Sequence, residues 1–303
     1  MNGPNGNGFH ANGNGSANGN GSANGNGSAN GNGNGNGLHG RDRVTVVIPA
    51  KDEARNVAWV LRRLPPGIDE VILVDGRSTD DTVAVARAVR PDIVVATERA
   101  PGKGAAMRTG MELASGEIIV TIDADGSMDP SEIDRYVRAA HEVDLVKGSR
   151  FAGAGGTDDM GPLRRWGNRA LLELVNVLYG SRLTDLCYGY CAVRRSALPA
   201  LALRSDGFEI ETEMTVRALR AGLRIGEVPS FEAPRRYGSS HLRTIRDGWR
   251  VLCTLIVIRS RPRLPADMRL VVESPLASAP ELVPADVGLA APEPVASAGG
   301  TAA

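Results

Sequence analysis

Between residues 44 and 122, short β-branched runs alternate with helical stretches at nearly constant spacing, and this alternation decides the fold class. Residues 44–48 read as a strand stopped by Pro49, 71–74 as a second, 93–96 as a third and 117–122 as a fourth. Between them, residues 52–64 place Val57, Val60, Leu61 and Leu64 on one helical stripe before Pro65-Pro66-Gly67. A second helix runs through Val83, Val85, Ala86 and Val89 to Pro91, and a third covers 103–114. Strands alternating with helices of this length specify right-handed βαβ units on a parallel sheet, so the expected class is α/β.

The flanks differ from this pattern. Residues 1–40 are almost entirely Asn, Gly, Ser and Ala, with a hexad repeated from Ser16, Ser22 and Ser28. A segment with almost nothing apolar to bury is expected to be a disordered leader. It lacks the basic start and apolar run of a signal peptide, so the expected location is cytoplasmic. Residues 264–303, rich in Pro, Ala, Val and Glu without periodicity, are expected to form a disordered tail. Residues 41–263 remain as one domain. Its 35 Lys and Arg in the whole chain balance 35 Asp and Glu, which gives no general drive toward nucleic acid. Three cysteines are too few and too irregular for a disulfide framework, and Cys187 with Cys191 lacks the further ligands of a zinc site. No apolar run approaches the roughly 20 residues needed to cross a bilayer.

Chemistry concentrates in the loops at the strands' carboxyl ends, where open α/β sheets bind ligands. The run EIIVTIDADGSMDP is the sharpest case: a β-branched strand ends in Asp123-Ala124-Asp125, two carboxylates able to converge on one hard cation. Gly126 loosens the exit and Pro130 starts a helix. Pro49-Ala50-Lys51-Asp52-Glu53 offers a rigid turn and acids to the edges of a base and ribose. Asp75 to Asp80 reads as a turn and helix cap. Gly102-Lys103-Gly104 opens a helix, where backbone N–H groups and one Lys favour a phosphate.

The ordered series VTVVIPAKDE, VILVDGRSTDDT, GKGAAMRTG, IIVTIDADGSMDP, VKGSRF, DLCYGYCAVRR and RRYGSSHL resembles family-2 glycosyltransferases of the GT-A fold, a Rossmann-like, mostly parallel sheet flanked by helices. It is most similar to the branch of polyprenyl- and dolichyl-phosphate sugar synthases. The resemblance implies a UDP- or GDP-linked sugar donor and a polyprenyl phosphate acceptor. It places Pro49, Lys51, Glu53 and Asp75 at the base and ribose and Lys103 near the donor. Asp123 and Asp125 would hold Mg²⁺ or Mn²⁺ against the diphosphate, and Arg150 and Arg235 would meet donor or acceptor phosphate. Gly76-Arg77 replaces the family's Asp-Gly, Ser127 stands where relatives often have a Gln metal ligand, and His241 replaces a frequent Lys.

The resemblance also implies inversion by direct displacement. A phosphate monoester acceptor is already ionised near pH 7 and needs no base. An alcohol acceptor needs a carboxylate within reach, and Asp185, Glu209, Glu211 and Glu213 are the candidates. On the helix expected over 209–221, Glu209 and Glu213 share a face, Glu211 points elsewhere, and an acidic first turn is normally solvated. Residues 242–258 form a basic helix with an apolar stripe of Ile245, Trp249, Leu252 and Ile256, broadened by Val251, Leu255 and Ile258. Such a helix either contacts an anionic membrane or packs on protein. A second strongly apolar helix over 163–179 is placed to cover the acceptor side. Two other functions fit less of the sequence: a soluble transferase acting on a glycerate derivative or a natural-product alcohol, and a catalytically silent nucleotide-sugar binding protein.

Overall fold

The computed structural model describes residues 42–239 and 244–260; the leader and tail expected at the two ends, and His241, lie outside the described residues. Among the described residues, nine strands form in chain order: β1 Val44–Ala50, β2 Glu70–Asp75, β3 Val94–Thr97, β4 Ile118–Thr121, β5 Leu145–Ser149, β6 Gly156–Thr157, β7 Cys191–Arg194, β8 Ile225–Pro229 and β9 Phe231–Glu232. Seven of them make one sheet in the order β3-β2-β1-β4-β7-β5-β8. Neighbours are parallel except that β7 runs antiparallel to both β4 and β5. The helices are α1 Val57–Arg62, α2 Thr82–Val89, α3 Lys103–Leu113, α4 Ile133–Ala140, α5 Pro162–Tyr179, α6 Leu198–Leu201, α7 Ile210–Ala221 and α8 Thr244–Ser260.

The continuous apolar character of the central strands follows from coverage on both faces. Val46, Ile48, Ile118 and Val120 turn toward a cluster completed by Val57, Val60 and Leu61 of α1 and Ile133, Tyr136 and Val137 of α4. Val47, Ile72, Val74 and Ile119 point the opposite way, onto Ala106, Met107 and Met111 of α3 and Ile210 and Met214 of α7. The two-residue period of a strand sends alternate side chains to the two layers. A third cluster joins Leu172 and Val175 of α5, Val216 of α7, and Leu255 and Ile258 of α8.

Two expectations about the first loop are corrected. Pro49 does not stop β1, which continues to Ala50 with Pro49 opposite Val74. The β4 ladder has ended at the pair Val47 and Thr121, so the missing N–H of Pro49 costs no bond on that side. The first helix begins at Val57 instead of residue 52, because Asp52 takes a left-handed conformation (φ 55°). Its carboxylate accepts from the backbone N–H of Thr79 at 2.7 Å, tying the β1 loop to the β2 loop.

Candidate active site

A cavity of about 480 Å³ opens at the carboxyl ends of β1 and β4. Of the residues singled out from the sequence, Pro49, Lys51, Glu53, Lys103, Asp123, Asp125 and Arg235 all line it. They arrive from four separate segments, and the sheet brings them together because β1 and β4 are neighbours.

The Asp123 to Asp125 turn is fixed from two directions. Gly126 adopts φ 74°, which favours glycine, and a Cβ there would lie 2.6 Å from Arg236 Cδ. The Ser127 N–H and hydroxyl both donate to Asp125 Oδ1, at 3.0 and 2.7 Å. The chain after β9 is stitched onto the same turn: Ala233 N–H donates to the Ser127 carbonyl and Arg236 N–H to the Asp125 carbonyl. That stitching lays Arg235 across the cavity, where its guanidinium donates to Glu53 Oε1 at 2.6 Å and lies 3.8 Å from Asp125.

Lys103, the first residue of α3, reaches the other carboxylate of the turn. Its Nζ is 2.8 Å from Asp123 and 2.8 Å from Glu211. Burial alone would lower the amine's pKa, but the two carboxylates outweigh it and hold Lys103 charged. Glu53 behaves differently. Burial pushes its carboxyl up to about 7, with the charges of Asp125 and Asp123 adding to the rise and the Asn56 hydrogen bond and Arg235 opposing it. Lys51 donates to the Gly76 carbonyl at 3.0 Å and so closes the far side of the cavity.

Three expected site residues lie elsewhere. Asp75 is not part of the lining, and Gly76 stands in its place. Its carboxylate is turned to its own loop, accepting from the Ser78 N–H at 3.2 Å. Arg150 and Asp185 are sealed behind the wall with 1% and 0% of their side chains exposed. Arg150 donates to Asp185 through Nε at 2.7 Å and Nη2 at 2.9 Å, and to Glu232 through Nη1 at 3.0 Å. Its guanidinium also lies 4.8 Å from the centre of the Tyr188 ring. Four of its five N–H donors are taken by Asp185, Glu232 and the Cys187 carbonyl, and Arg150 is not part of the cavity lining where a phosphate would sit. Asp185 also accepts from Asn168 and from the Arg150 N–H, so it cannot approach a proton in the cavity.

The acidic turn of α7 is buried, not solvated, and the pair sharing a face is not the one at the site. Glu211 lines the cavity. Glu213 pairs with Arg217 at 2.6 Å and accepts from the backbone N–H groups of Arg204 and Ser205. Glu209 accepts from the Gly207 N–H and lies 3.8 Å from Arg250. Arg164 and Asp159, paired at 3.6 Å, also line the cavity, from the first turn of α5 and the loop before it. Nothing in their local spacing sets them apart from surface residues.

The donor set fits a hard divalent cation of the kind that keeps water and substrate oxygens in its shell. Asp123 and Asp125 face the cavity from one turn, and among the described residues no group of three or more His, Cys, Asp or Glu is arranged to hold a metal. Two carboxylates plus diphosphate oxygens suit Mg²⁺ or Mn²⁺, whereas an all-protein cage would need more ligands.

The sequence profile described as Glycosyl transferase family 2 matches residues 45–201. Glycosyltransferase AglJ of Haloferax volcanii is 33% identical over 216 residues, covering 68% of this chain and 69% of that protein. An undecaprenyl-phosphate mannosyltransferase of Micrococcus luteus is 32% identical over 213 residues, covering 66% of this chain and 87% of that protein. Among solved structures, glucosyl-3-phosphoglycerate synthase of Mycobacterium tuberculosis, in complex with Mn²⁺, UDP and glucosyl-3-phosphoglycerate, superposes with a TM-score of 0.59. It shares 24% identity over 73% of this chain and 81% of that one. The fold is that of the GT-A glycosyltransferases. The chain belongs to glycosyltransferase family 2 and is a glycosyltransferase.

Proposed function

We propose that this protein moves one sugar, with inversion, from a UDP- or GDP-linked donor to a polyprenyl phosphate at the cytoplasmic face of a membrane. The observation that carries the reading is the pair Asp123 and Asp125 opening on a cavity whose cations, Lys51, Lys103, Arg164 and Arg235, come from four different segments. Such a cavity suits a substrate pair with several phosphate charges. The Micrococcus relative, named for transfer to undecaprenyl phosphate, supports the lipid acceptor.

In this reading Asp123 and Asp125 hold Mg²⁺ or Mn²⁺. The ion supplies Lewis-acid stabilisation of the leaving diphosphate. Lys103 and Arg235 turn from these carboxylates toward phosphate oxygens when the donor enters. Pro49, Lys51 and Glu53 border the base and ribose, with Gly76 in the place expected for Asp75. Arg164 binds the acceptor phosphate, whose oxygen attacks the anomeric carbon as the bond to the diphosphate breaks. An ionised phosphate oxygen has no proton to lose, so no base takes part. Arg150 and Asp185 act at a distance, by holding Glu232 and the chain that leads to Arg235.

The Arg164 guanidinium, held beside Asp159 at the cavity wall, would recognise a phosphate whatever its tail, and this favours a small phosphorylated acceptor as the second reading. The test is transfer from radiolabelled nucleotide sugars, with Mg²⁺ or Mn²⁺, into polyprenyl phosphate, scored as label extractable into organic solvent. Label that vanishes with Asp125→Ala supports the lipid acceptor. Metal-dependent donor turnover without lipid label moves the assignment to a soluble acceptor.

A further inference from the structure

The helices α5 and α8 pack side by side over Val216 through Leu172, Val175, Leu255 and Ile258. Their opposite faces are apolar as well. On α5, Leu163, Trp166, Leu174 and Val177 follow at helical spacing along the outer side, with Trp166 72% and Val177 81% exposed. On α8 the same holds for Ile245, Trp249 and Ile256, with Ile245 81% and Trp249 66% exposed. The stripe read from the sequence is thus split. Its broadening residues Val251, Leu255 and Ile258 hold α8 on the domain, and Ile245, Trp249 and Ile256 of the stripe itself are exposed. Folding has not consumed these two seams, and large exposed apolar patches mark docking surfaces.

Charge selects the occupant. The exposed ionisable residues of the two helices are Arg165, Arg169, Arg246, Arg250 and Arg259 against the single acid Glu173, since Asp247 is buried. A second copy seated on the same face would set one group of arginines against its twin. An anionic bilayer offers the opposite charge together with an apolar interior for the tryptophans. The α5 helix has a further property. Its first turn puts Arg164 into the cavity while the rest of its length carries the outer seam.

We propose that α5 and α8 jointly dock on an anionic bilayer, and that α5 leads a lipid-borne phosphate from the bilayer surface to Arg164. The second clause rests on the polyprenyl phosphate reading above; the docking surface does not.

The test uses the full chain and two vesicle preparations, phosphatidylglycerol with phosphatidylethanolamine and pure phosphatidylcholine. Expected are co-sedimentation with the anionic vesicles, at least about tenfold weaker binding to the neutral ones or in high salt, and a blue shift of tryptophan emission. Trp166→Ser/Trp249→Ser, which leaves Trp59 as an internal reference, is expected to lose vesicle binding by about tenfold or more while melting like the wild type. No binding to anionic vesicles, or equal binding by the double variant, would overturn docking. So would a dimer in light scattering that the double variant abolishes, since a second copy would then be the occupant. Transfer to a short, water-soluble polyprenyl phosphate without vesicles judges the acceptor separately. Both proteins should perform it equally. Its absence from the wild type would overturn the acceptor reading and the α5 path, while the vesicle result would still decide the docking surface.

Discussion

The ammonium of Lys103 lies 2.8 Å from the carboxylate of Asp123, so the first acid of the Asp-Ala-Asp turn has a resident cation of its own. The same nitrogen serves Glu211. Lys103→Met therefore strands two largely buried carboxylates at once. It is expected to cost about 3 kcal/mol in urea unfolding and at least about 100-fold in donor turnover. Adding Glu211→Gln should return part of the stability but not the turnover, because one stranded charge is removed while the donor contact proposed for Lys103 stays lost.

The Asp125 carboxylate is oriented by Ser127, whose N–H and hydroxyl both donate to Oδ1. Asp125→Asn retains both bonds and removes only the charge. Mn²⁺ binding in the presence of UDP, followed by titration calorimetry, should weaken by about tenfold or more, with an unchanged melting temperature. Chelation with EDTA should abolish transfer by the wild type, and added Mn²⁺ should restore it.

Glu53 gives a pH signature. Its carboxyl titrates at about 7 in the fold against an ordinary value of 4.5, so the folded state binds this proton more tightly than the unfolded chain does. The stability it contributes is full below pH 4.5 and is lost as pH rises through 7. Glu53→Gln does not titrate. Relative to that variant, the wild type should lose stability on the order of 2 kcal/mol between pH 5 and pH 8, read from denaturant melts at each pH.

Gly148 immediately precedes the Ser149-Arg150 pair, and a Cβ there would meet the Tyr136 hydroxyl and come within 2.8 Å of the Tyr188 ring. Tyr188 in turn lies under the Arg150 guanidinium. Gly148→Ala is expected to destabilise by about 2 kcal/mol and to shift Arg150 against Glu232. A drop in kcat larger than any change in donor KM would show that the strain reaches the cavity.

What could be read in the sequence was what local pattern encodes. The β-branched runs gave parallel strands because both faces of the sheet are covered, and Lys51, Glu53, Lys103, Asp123 and Asp125 sit at strand ends or a helix start, where chain direction alone fixes them on one side. Glu211 is one of the candidate carboxylates, but spacing along α7 turns it away from the shared face, because its partner Lys103 is 108 residues away and leaves no trace in that spacing. The face-sharing rule chose Glu209 and Glu213, which stabilise the 204–207 loop instead. Arg150 and Asp185 stand in motifs that read as reactive groups, yet in the fold they bond to each other behind the cavity wall. Asp75 is a loop cap of ordinary kind.

The antiparallel β7 has a consequence for how the chain is made. Strand β4 ends at Thr121, whereas β7, which covers its open side, starts only at Cys191. At roughly 5–20 residues per second, a ribosome leaves the Ile118–Thr121 edge without a neighbour for several seconds. The same late strand joins the two halves of the sheet, because β5 reaches β4 only through it. A nascent chain halted before Cys191 would present the open side of β4 and a β5 with neither neighbour, since β8 follows later still, so the interval before β7 emerges is when this protein most needs a chaperone.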